Sequence, residues 1–432
     1  MTSNAKIAEC FVYITLPGEI TPVTAGRFQV SRNKNGVPIG RFVYGKSYLA
    51  RPNKVEFDPV ELRLSERVYE TTGLKGIFGS LRDAGPDYWG RKVIERHVNK
   101  PEIDEIDYLL HSPEDRAGAL GFGLNQSPPA PIRQFNQTMD LEKLQRIADA
   151  IVAEESLAIE PAVSLIEELI LMGTSMGGAR PKVVVEHLDA LWLAKFNRAD
   201  DKWNNARVEH AMLQLARSCG ISTAESTVIS VAGRDVLLVK RFDREKTENG
   251  YHRALMISGL TLLQAEDSHQ GRDKWSYLLL VEELRRVSAN PKQDALELFK
   301  RMCFNALISN LDDHPRNHAI IAKEHDWYLS PAYDLTPTTP VSTDRRDLAL
   351  SIGNVGRYAN AENILSQCPR FLLKHEEAES ILCEMEKSVA NTWYQIARSS
   401  SVSERHCEII SGAFVYPGFR YSASVHGDKI GD

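Results

Sequence analysis

The apolar pattern of this chain changes period along its length, and this change limits the possible fold more than any other feature. Residues 11–44 and 183–239 hold short apolar or β-branched runs separated by Gly, Pro and turn residues, which is typical of strands. From about Ala254 onward the apolar residues recur at helical spacing instead, as they do over residues 295–306. The sequence therefore predicts an α+β protein, with its strands concentrated in the first part and helices dominating the second.

A proline-rich segment at residues 127–132 favours a linker, because proline disrupts both helix interiors and central strands. Before it we predict a β-rich N-terminal subdomain at residues 1–126. After it we predict a mixed lobe at residues 133–250 and a helical lobe at residues 251–432. Helical spacing within the mixed lobe predicts helices near residues 141–151, 162–171 and 208–216.

Composition excludes several classes of protein. The chain has no run of eighteen apolar residues and no signal-peptide pattern at its start, so we expect neither membrane insertion nor secretion. Its six cysteines are scattered without a Cys-x-x-Cys pair, which favours a reducing cytoplasm over a disulfide framework or a zinc site. A net charge of −6 argues against a free-standing nucleic-acid binder, so any DNA contact is expected to run through a partner.

A glycine-containing segment, Gly173-Thr-Ser-Met-Gly-Gly-Ala-Arg-Pro-Lys182, lies between a predicted helix and a predicted strand. Backbone N–H groups in such a loop can approach phosphate oxygens. The segment is not a Walker loop, because Ala179 stands where that pattern requires Lys. Taken alone, it is also compatible with a simple glycine turn.

Lys195 and Glu209 follow this segment in the order found in protein kinases. Lys195 lies within a predicted strand, where it is either solvated or directed at an anion such as phosphate. Glu209 lies on the next predicted helix. In kinases a strand lysine contacts the α- and β-phosphates and is held by a helix glutamate, so Glu209 is a supporting candidate.

The segment Asn310-Leu-Asp-Asp-His-Pro-Arg-Asn317 is the strongest chemical signal, because ionisable and amide side chains crowd one short loop. Asp312 and Asn317 have the spacing of a kinase catalytic base and a Mg²⁺ ligand, and Asp334 stands where a second metal-binding acid is expected. A polar helix–strand connection rich in Asx turns is an alternative interpretation. A zinc pair formed by His314 and His318 is another, although Pro315 and the missing Glu count against it.

These motifs together resemble the signatures of the HipA family of kinases, and the resemblance runs from about residue 10 to beyond residue 355. It implies a protein-kinase-like fold with two lobes and an N-terminal subdomain. The matching segments are Ser175–Lys182, Val239–Arg244, Asn310–Asn317 and Ala332–Leu335, with Asp87–Arg91 and Asp115–Phe122 earlier in the chain.

The resemblance also implies residue roles for an enzyme that uses ATP and Mg²⁺. Asp312 would be the catalytic base, steered by His314, and Asn317 and Asp334 would bind the metal. Lys195 would contact ATP phosphate. The remaining cofactor-binding candidates are Ser175, Met176, Gly177, Gly178 and Ala179 in the loop, and the backbone of Lys240, Arg241 and Phe242 as an adenine-binding hinge. Lys240 replaces an acidic residue that some relatives carry at that position.

Ser175 would in addition be an autophosphorylation site. The family further implies a toxin role, with a small helix-turn-helix antitoxin, DNA contact through that antitoxin, and a translation-related protein substrate such as an aminoacyl-tRNA synthetase. Two other functions stay open: a catalytically silent co-repressor that acts with its antitoxin, and a small-molecule kinase. All four proposed catalytic and binding residues, Asp312, Asn317, Asp334 and Lys195, are present, which favours an active kinase over a silent co-repressor.

Overall fold

The computed structural model describes residues 8–98, 103–131, 135–137, 140–154, 180–198, 200–339 and 341–421. The chain forms two compact units. Unit 1 comprises Met1–Arg198, Leu238–Ile257 and Ile321–Asp326, and unit 2 comprises Ala199–Leu237, Ser258–Ile320 and Trp327–Asp432. In the described part of the chain, no helix is both long and apolar enough to cross a membrane. The helix predicted over residues 162–171 lies outside these ranges.

Strands and helices alternate through the chain, with most strands before residue 260. The strands are β1 (Ala8–Thr15), β2 (Pro22–Arg32), β3 (Pro38–Tyr44), β4 (Tyr69–Thr71), β5 (Leu120–Gly123), β6 (Lys182–His187), β7 (Ala190–Phe196), β8 (Ser226–Val231), β9 (Arg234–Lys240), β10 (Arg244–Thr247), β11 (Gly250–Arg253), β12 (Leu255–Ser258), β13 (Ala319–Ala322) and β14 (Tyr328–Leu329). The helices are α1 (Lys46–Leu49), α2 (Gly79–Asp83), α3 (Tyr88–His97), α4 (Glu105–His111), α5 (Leu141–Glu154), α6 (Asn205–Ser218), α7 (Gly259–Leu262), α8 (Tyr277–Val287), α9 (Pro291–Leu307), α10 (Ala361–Leu365), α11 (His375–Ser399) and α12 (Glu404–Ile410).

An antiparallel five-stranded sheet with the order β4-β3-β2-β1-β5 forms the first part of unit 1. Its strands bury apolar side chains such as Val12, Phe28 and Phe42, because alternate residues of a strand face one side of the sheet. The strands predicted within residues 11–44 are confirmed as β1, β2 and β3.

A two-residue hairpin joins β6 and β7 in the same unit. Leu188 and Asp189 form its turn with φ of 46° and 57°, and paired positive φ values are typical of the turn that matches strand twist. The hairpin tip is held by β10 and β11, because Glu186 accepts hydrogen bonds from Lys246 Nζ at 3.0 Å and from the Tyr251 hydroxyl at 2.6 Å. Both predicted strands of this hairpin are confirmed.

Helices dominate unit 2. The buried helix α9 packs against α8 and α11, and α6 packs against α11. The α6 helix begins after Asn204, whose side chain caps the Arg207 N–H at 3.2 Å, and it ends before Gly220 with φ of 72°. The predicted helices over residues 208–216 and 295–306 are confirmed.

The structure contains several short strands and helices that the sequence pattern did not predict. Strands β13 and β14 interrupt the helical half, and two to four residues are too few to establish a period of two. Helices α3 and α4 lie in the part predicted to be β-rich. Their N-caps, Asp87 and Asp104, are signals that could have predicted them.

The contact of β3 with the 3₁₀ turn after β4 generates a prediction. A Cβ atom added at Gly40 would lie 1.9 Å from the Gly76 carbonyl oxygen, which is backbone and cannot turn aside. We expect Gly40→Ala to lower the free energy of unfolding by roughly 1–3 kcal/mol, as overpacking does. Gly121→Ala in the same sheet is the control, because its nearest neighbour would be Tyr13 Cβ at 3.7 Å. Equal thermal midpoints for the two variants would contradict the steric explanation.

Candidate active site

The candidate site is built on the loop between α9 and β13, at residues 308–318. Helix α9 ends at Leu307, and Ser309 turns the chain away with a φ of 53°. The buried Asn310 then fixes the loop to the helix. Its backbone N–H donates to the Asn305 carbonyl oxygen at 2.8 Å, and its Nδ2 donates to Asn305 Oδ1 at 3.1 Å. The side chains that follow therefore start from a fixed backbone.

Asp313 is buried and carries the internal hydrogen bonds of this loop. Its Oδ2 accepts from the Tyr277 hydroxyl and lies 3.1 Å from His318 Nε2, while Asn305 Nδ2 donates to the Tyr277 oxygen at 3.0 Å. Burial, and then the Asp313 carboxylate, holds the pKa of Tyr277 well above its usual value. Asp313 thus fixes the structure of the loop, whereas its neighbour Asp312 is exposed.

The zinc interpretation of His314 and His318 gains no support from this arrangement. His318 Nε2 lies against Asp313 in the interior, where both side chains are almost wholly buried. Within the described ranges, no cluster of three or more His, Cys, Asp or Glu side chains could hold a metal ion. His314 Nδ1 is buried and, among the described residues, has no hydrogen-bond partner.

Asp312 is an exposed residue of the loop, and both acidic and basic groups lie near its carboxyl. Partial burial raises the pKa of its carboxyl, and the carboxylates of Asp334 and Asp313 raise it further, whereas His314 and Arg272 lower it. The influence of Asp334 means that two acidic groups lie close together at this end of unit 2. Their repulsion would be relieved by a cation, which is the electrostatic setting of a divalent metal site.

Asn317 lies in the 3₁₀ turn that closes the loop. Its backbone N–H donates to the His314 carbonyl oxygen at 2.8 Å, and its Nδ2 donates to the Asp312 carbonyl oxygen at 3.3 Å. The amide nitrogen is therefore engaged with the loop backbone. Its Oδ1 atom is left as the acceptor that could bind a hard cation.

Asp334 follows an extended segment that is anchored beside the loop. Ala332 accepts a hydrogen bond from the Ala224 N–H at 2.9 Å, and the Tyr333 hydroxyl donates to the Arg316 carbonyl oxygen at 2.8 Å. Asp334 itself has a φ of 59°, a left-handed conformation that aspartate tolerates better than most residues. These contacts fix Asp334 relative to Asp312.

Lys195 and Glu209 lie in different units. Lys195 is on β7 in unit 1, where its Cα pairs with that of Lys182 across the hairpin. Glu209 is on α6 in unit 2 and is only 6% exposed. A buried carboxylate is stable only when it is paired or hydrogen-bonded, which suits a supporting role. The ion pair between Lys195 and Glu209 stays a prediction.

The predicted adenine-binding hinge, Lys240 to Phe242, begins at the last residue of strand β9 and lies in unit 1. The Arg241 backbone N–H donates to the Leu191 carbonyl oxygen at 2.9 Å, so this donor is engaged within the protein. The Arg241 guanidinium is buried against Asp243, with Nε at 3.0 Å from Oδ1. An adenine would have to use other backbone atoms of the segment. The loop candidates Ser175, Met176, Gly177, Gly178 and Ala179 lie outside the described residues.

Sequence reasoning missed the residues that act through burial. The local sequence does not indicate which of Asp312 and Asp313 is buried, and no sequence pattern connects Tyr277 with either aspartate. The ion pair between Lys182 and Asp87, at 3.4 Å, joins residues far apart in the chain. Each residue belongs to a segment that resembles the HipA family, Asp87–Arg91 or Ser175–Lys182, and this was the only sign in the sequence that either residue has a structural role.

Comparison with known proteins shows that the chain matches a protein family. Residues 174–393, about half of the 432-residue chain, match the family profile described as "HipA-like C-terminal domain". A Sinorhizobium fredii protein, Y4mE, is 27% identical over 350 residues, which cover 75% of this chain and 78% of that protein; its name describes it as a candidate kinase. A Haemophilus influenzae protein, also a candidate kinase by name, is 24% identical over 39% of this chain and 54% of its own length.

One solved structure has a similar fold over nearly the whole chain. It is described as the Shewanella oneidensis toxin–antitoxin system HipA, HipB and its operator DNA complex, and the match has a TM-score of 0.64 with 92% of this chain and 95% of that chain covered. At 16% sequence identity the match shows a shared fold. It confirms the fold that the resemblance predicted.

The charged groups around Asp312 lead to a prediction that can be tested without an activity assay. We expect its carboxyl to titrate above the usual aspartate range in a ¹³C NMR titration. Asp334→Asn should lower the pKa of Asp312, because a repelling carboxylate is removed, and His314→Asn should raise it, because a favourable positive charge is removed. An Asp312 pKa that does not respond to Asp334→Asn would contradict the proximity of the two acids.

Proposed function

The chain belongs to the HipA-like C-terminal domain family, and on this premise we propose that it is an ATP- and Mg²⁺-dependent serine/threonine protein kinase that acts as the toxin of a toxin–antitoxin pair. The observation that carries the proposal is the loop that holds Asp312 and Asn317, with the Asp334 carboxylate near enough to raise the pKa of Asp312. An exposed carboxylate, an amide oxygen and a second acid are the groups that kinases use to orient a hydroxyl and bind metal.

Asp312 is the proposed base, which accepts the proton of the substrate hydroxyl. Its exposure leaves it accessible to a protein substrate, while Asp313 beneath it holds the loop in place. Asn317 and Asp334 would hold Mg²⁺, which supplies charge neutralisation at the phosphates when bound. Catalysis then rests on positioning, because the loose transition state of phosphoryl transfer needs little covalent help.

The proposed contacts with the nucleotide itself lie in unit 1. Lys195 would contact the α- and β-phosphates, and the 240–242 backbone would meet adenine. Glu209, which lies in unit 2, is the proposed supporting acid. The loop Ser175–Ala179 would cover the phosphates, and Ser175 would accept phosphate in an autoregulatory reaction. Family resemblance is what supports the assignments in that loop.

We further propose a helix-turn-helix antitoxin as partner, with DNA reached through it and a translation-related protein as substrate. Support for the antitoxin comes from the Shewanella assembly, a complex of HipA with HipB and operator DNA. The net charge of −6 also disfavours direct, non-specific DNA binding by this chain.

Replacement of the base tests the kinase proposal. Asp312→Asn keeps the shape of the side chain but removes the proton acceptor, so phosphate transfer should fall by roughly 10²–10⁴-fold. The measurement is transfer of labelled γ-phosphate to protein in a heat-treated cell extract, in which other kinases are inactive, together with growth of cells that express each variant. Asp326→Asn, an exposed aspartate to which no role is assigned, is the matched control. Growth arrest that persists with Asp312→Asn at equal expression would favour the silent co-repressor function.

Metal dependence provides a second test. Calorimetry should show that ATP binds tightly with Mg²⁺ and at least about tenfold more weakly with EDTA, because the β- and γ-phosphates would otherwise face two carboxylates without an intervening cation. Asp334→Asn should reduce the difference between the two conditions. Equal ATP affinity in both conditions for the unaltered protein would remove the metal role of Asn317 and Asp334.

A further inference from the structure

The hairpin formed by β10 and β11 places two arginines side by side in unit 1. Arg244 begins β10 and Arg253 ends β11, and their Cα atoms pair directly across the open end of the hairpin. Side chains of directly paired residues lie on the same face of a sheet, where like charges repel each other. The pairing is therefore stable only if each guanidinium meets groups that compensate its charge.

Arg244 is compensated within the protein. Its side chain is 2% exposed, Nη1 donates to the carbonyl oxygen and Oδ2 of Asp243 at 2.9 and 2.8 Å, and Nη2 donates to the Arg116 carbonyl oxygen at 2.5 Å. Arg253 differs, because it is half-buried and, within the described part of the chain, has neither a hydrogen bond nor an ion pair. Its guanidinium donors are left to solvent or to a ligand.

The guanidinium of Arg253 belongs to a group of arginines that repel one another. Burial, and then repulsion from Arg241, lowers the pKa of Arg253 and holds the pKa of Arg244 well below its usual value. Burial also lowers the pKa of Arg116 to about 10, and Arg253 contributes to that shift. Three nearby acids act on Arg253 in the opposite direction without cancelling the effect: Glu114, Asp115 and Asp243. An anion bound beside Arg253 would relieve this repulsion.

A cavity of about 210 Å³ opens beside the two arginines, and its lining lies entirely in unit 1. Arg244 and Arg253 form part of its wall, and His252 and Lys323 add two more side chains that can carry positive charge. Gly18 lies opposite without a side chain to fill the space. The cavity thus gives a ligand access to the one arginine of the pair that is not already engaged.

The acids that line this cavity are either engaged or exposed. Asp243 is paired with both Arg241 and Arg244 at 2.8 Å. Glu245 and Glu324 are exposed, and exposed charges are screened by solvent and salt. The buried arginines therefore decide which sign of charge the inner part of the cavity favours.

We propose that this cavity binds a phosphate group, held by Arg253 through guanidinium donors that no described residue occupies. A guanidinium suits phosphate because two parallel N–H groups can donate to two of its oxygens. The cavity volume is several times the roughly 30 Å³ of one water molecule, so free phosphate and a small phosphate monoester both fit. The inference does not depend on the proposed kinase function, because it concerns the binding of phosphate and not its transfer.

Calorimetry with inorganic phosphate on the full-length protein tests the site. Phosphate should bind with a dissociation constant of about 1 mM or tighter, against a chloride background of equal ionic strength. Arg253→Met should weaken binding at least about tenfold, because a charge-assisted contact with two hydrogen bonds is lost. Glycerol 3-phosphate is titrated in the same way. A higher affinity than that of phosphate indicates a monoester as the ligand, and a lower one indicates the free ion.

Two control variants separate this site from other sources of phosphate binding. Arg27→Met removes an exposed arginine from β2 of the same unit and should leave phosphate affinity unchanged. Lys195→Met should also leave it unchanged, because Lys195 does not line the cavity. Binding that is lost in Lys195→Met and kept in Arg253→Met would assign the phosphate to the proposed nucleotide contacts and overturn the proposal.

Thermal unfolding distinguishes a ligand-binding arginine from a structural one. Burial and neighbouring arginines destabilise the charge of Arg253, so Arg253→Met should lower the thermal midpoint by no more than about 2 °C. Arg253→Lys keeps the charge but not the planar fork, and its phosphate affinity should fall about threefold or more. A larger loss of stability in Arg253→Met, with unchanged phosphate affinity in Arg253→Lys, would show that Arg253 is structural. That result, or an unaltered protein that binds no phosphate, overturns the proposal.

Discussion

Unit 1 depends on a buried group of charges around Asp243. Its carboxylate lies between Arg241 and Arg244, and these guanidiniums also donate to backbone carbonyl oxygens near the start of β5. Removing charges from water is costly, and such a group is stable only when every member is paired. Breaking it would leave a bare buried charge, at a cost of about 3–5 kcal/mol. The strands on either side of this cluster are therefore bound into a single folded body.

In unit 2, two adjacent aspartates differ in burial, because Asp313 is buried and Asp312 is exposed. Asp313 points inward, where Tyr277 and His318 contact it and fix the loop. Asp312 is exposed by comparison, and its pKa is raised first by partial burial of the carboxyl and then by nearby carboxylates. Chemistry on a flexible loop would be imprecise, because a misplaced group loses much of its effect. The buried Asp313 therefore supplies the rigidity that the role proposed for Asp312 requires.

The sequence predicts this protein best where a pattern is long or a motif is local. The strands of the first sheet and the long helix α9 have clear periods, and Asp312, Asn317 and Asp334 stand in ordered motifs. Strands β13 and β14 are too short to show a period. The pairing of Asp87 with Lys182 could not be predicted, because it depends on which buried side chains meet after folding, and residues almost a hundred positions apart carry no shared periodicity.

A buried ion pair ties the base of the β6–β7 hairpin to the N-terminal subdomain. Two lysines face each other at its base, and a hairpin with that arrangement is destabilised unless each charge meets an anion. Asp87 supplies one anion permanently, from the cap of a helix that is itself held by the Arg91–Glu105 pair. The N-terminal subdomain therefore contributes, through Asp87, to the stability of the hairpin that carries Lys195.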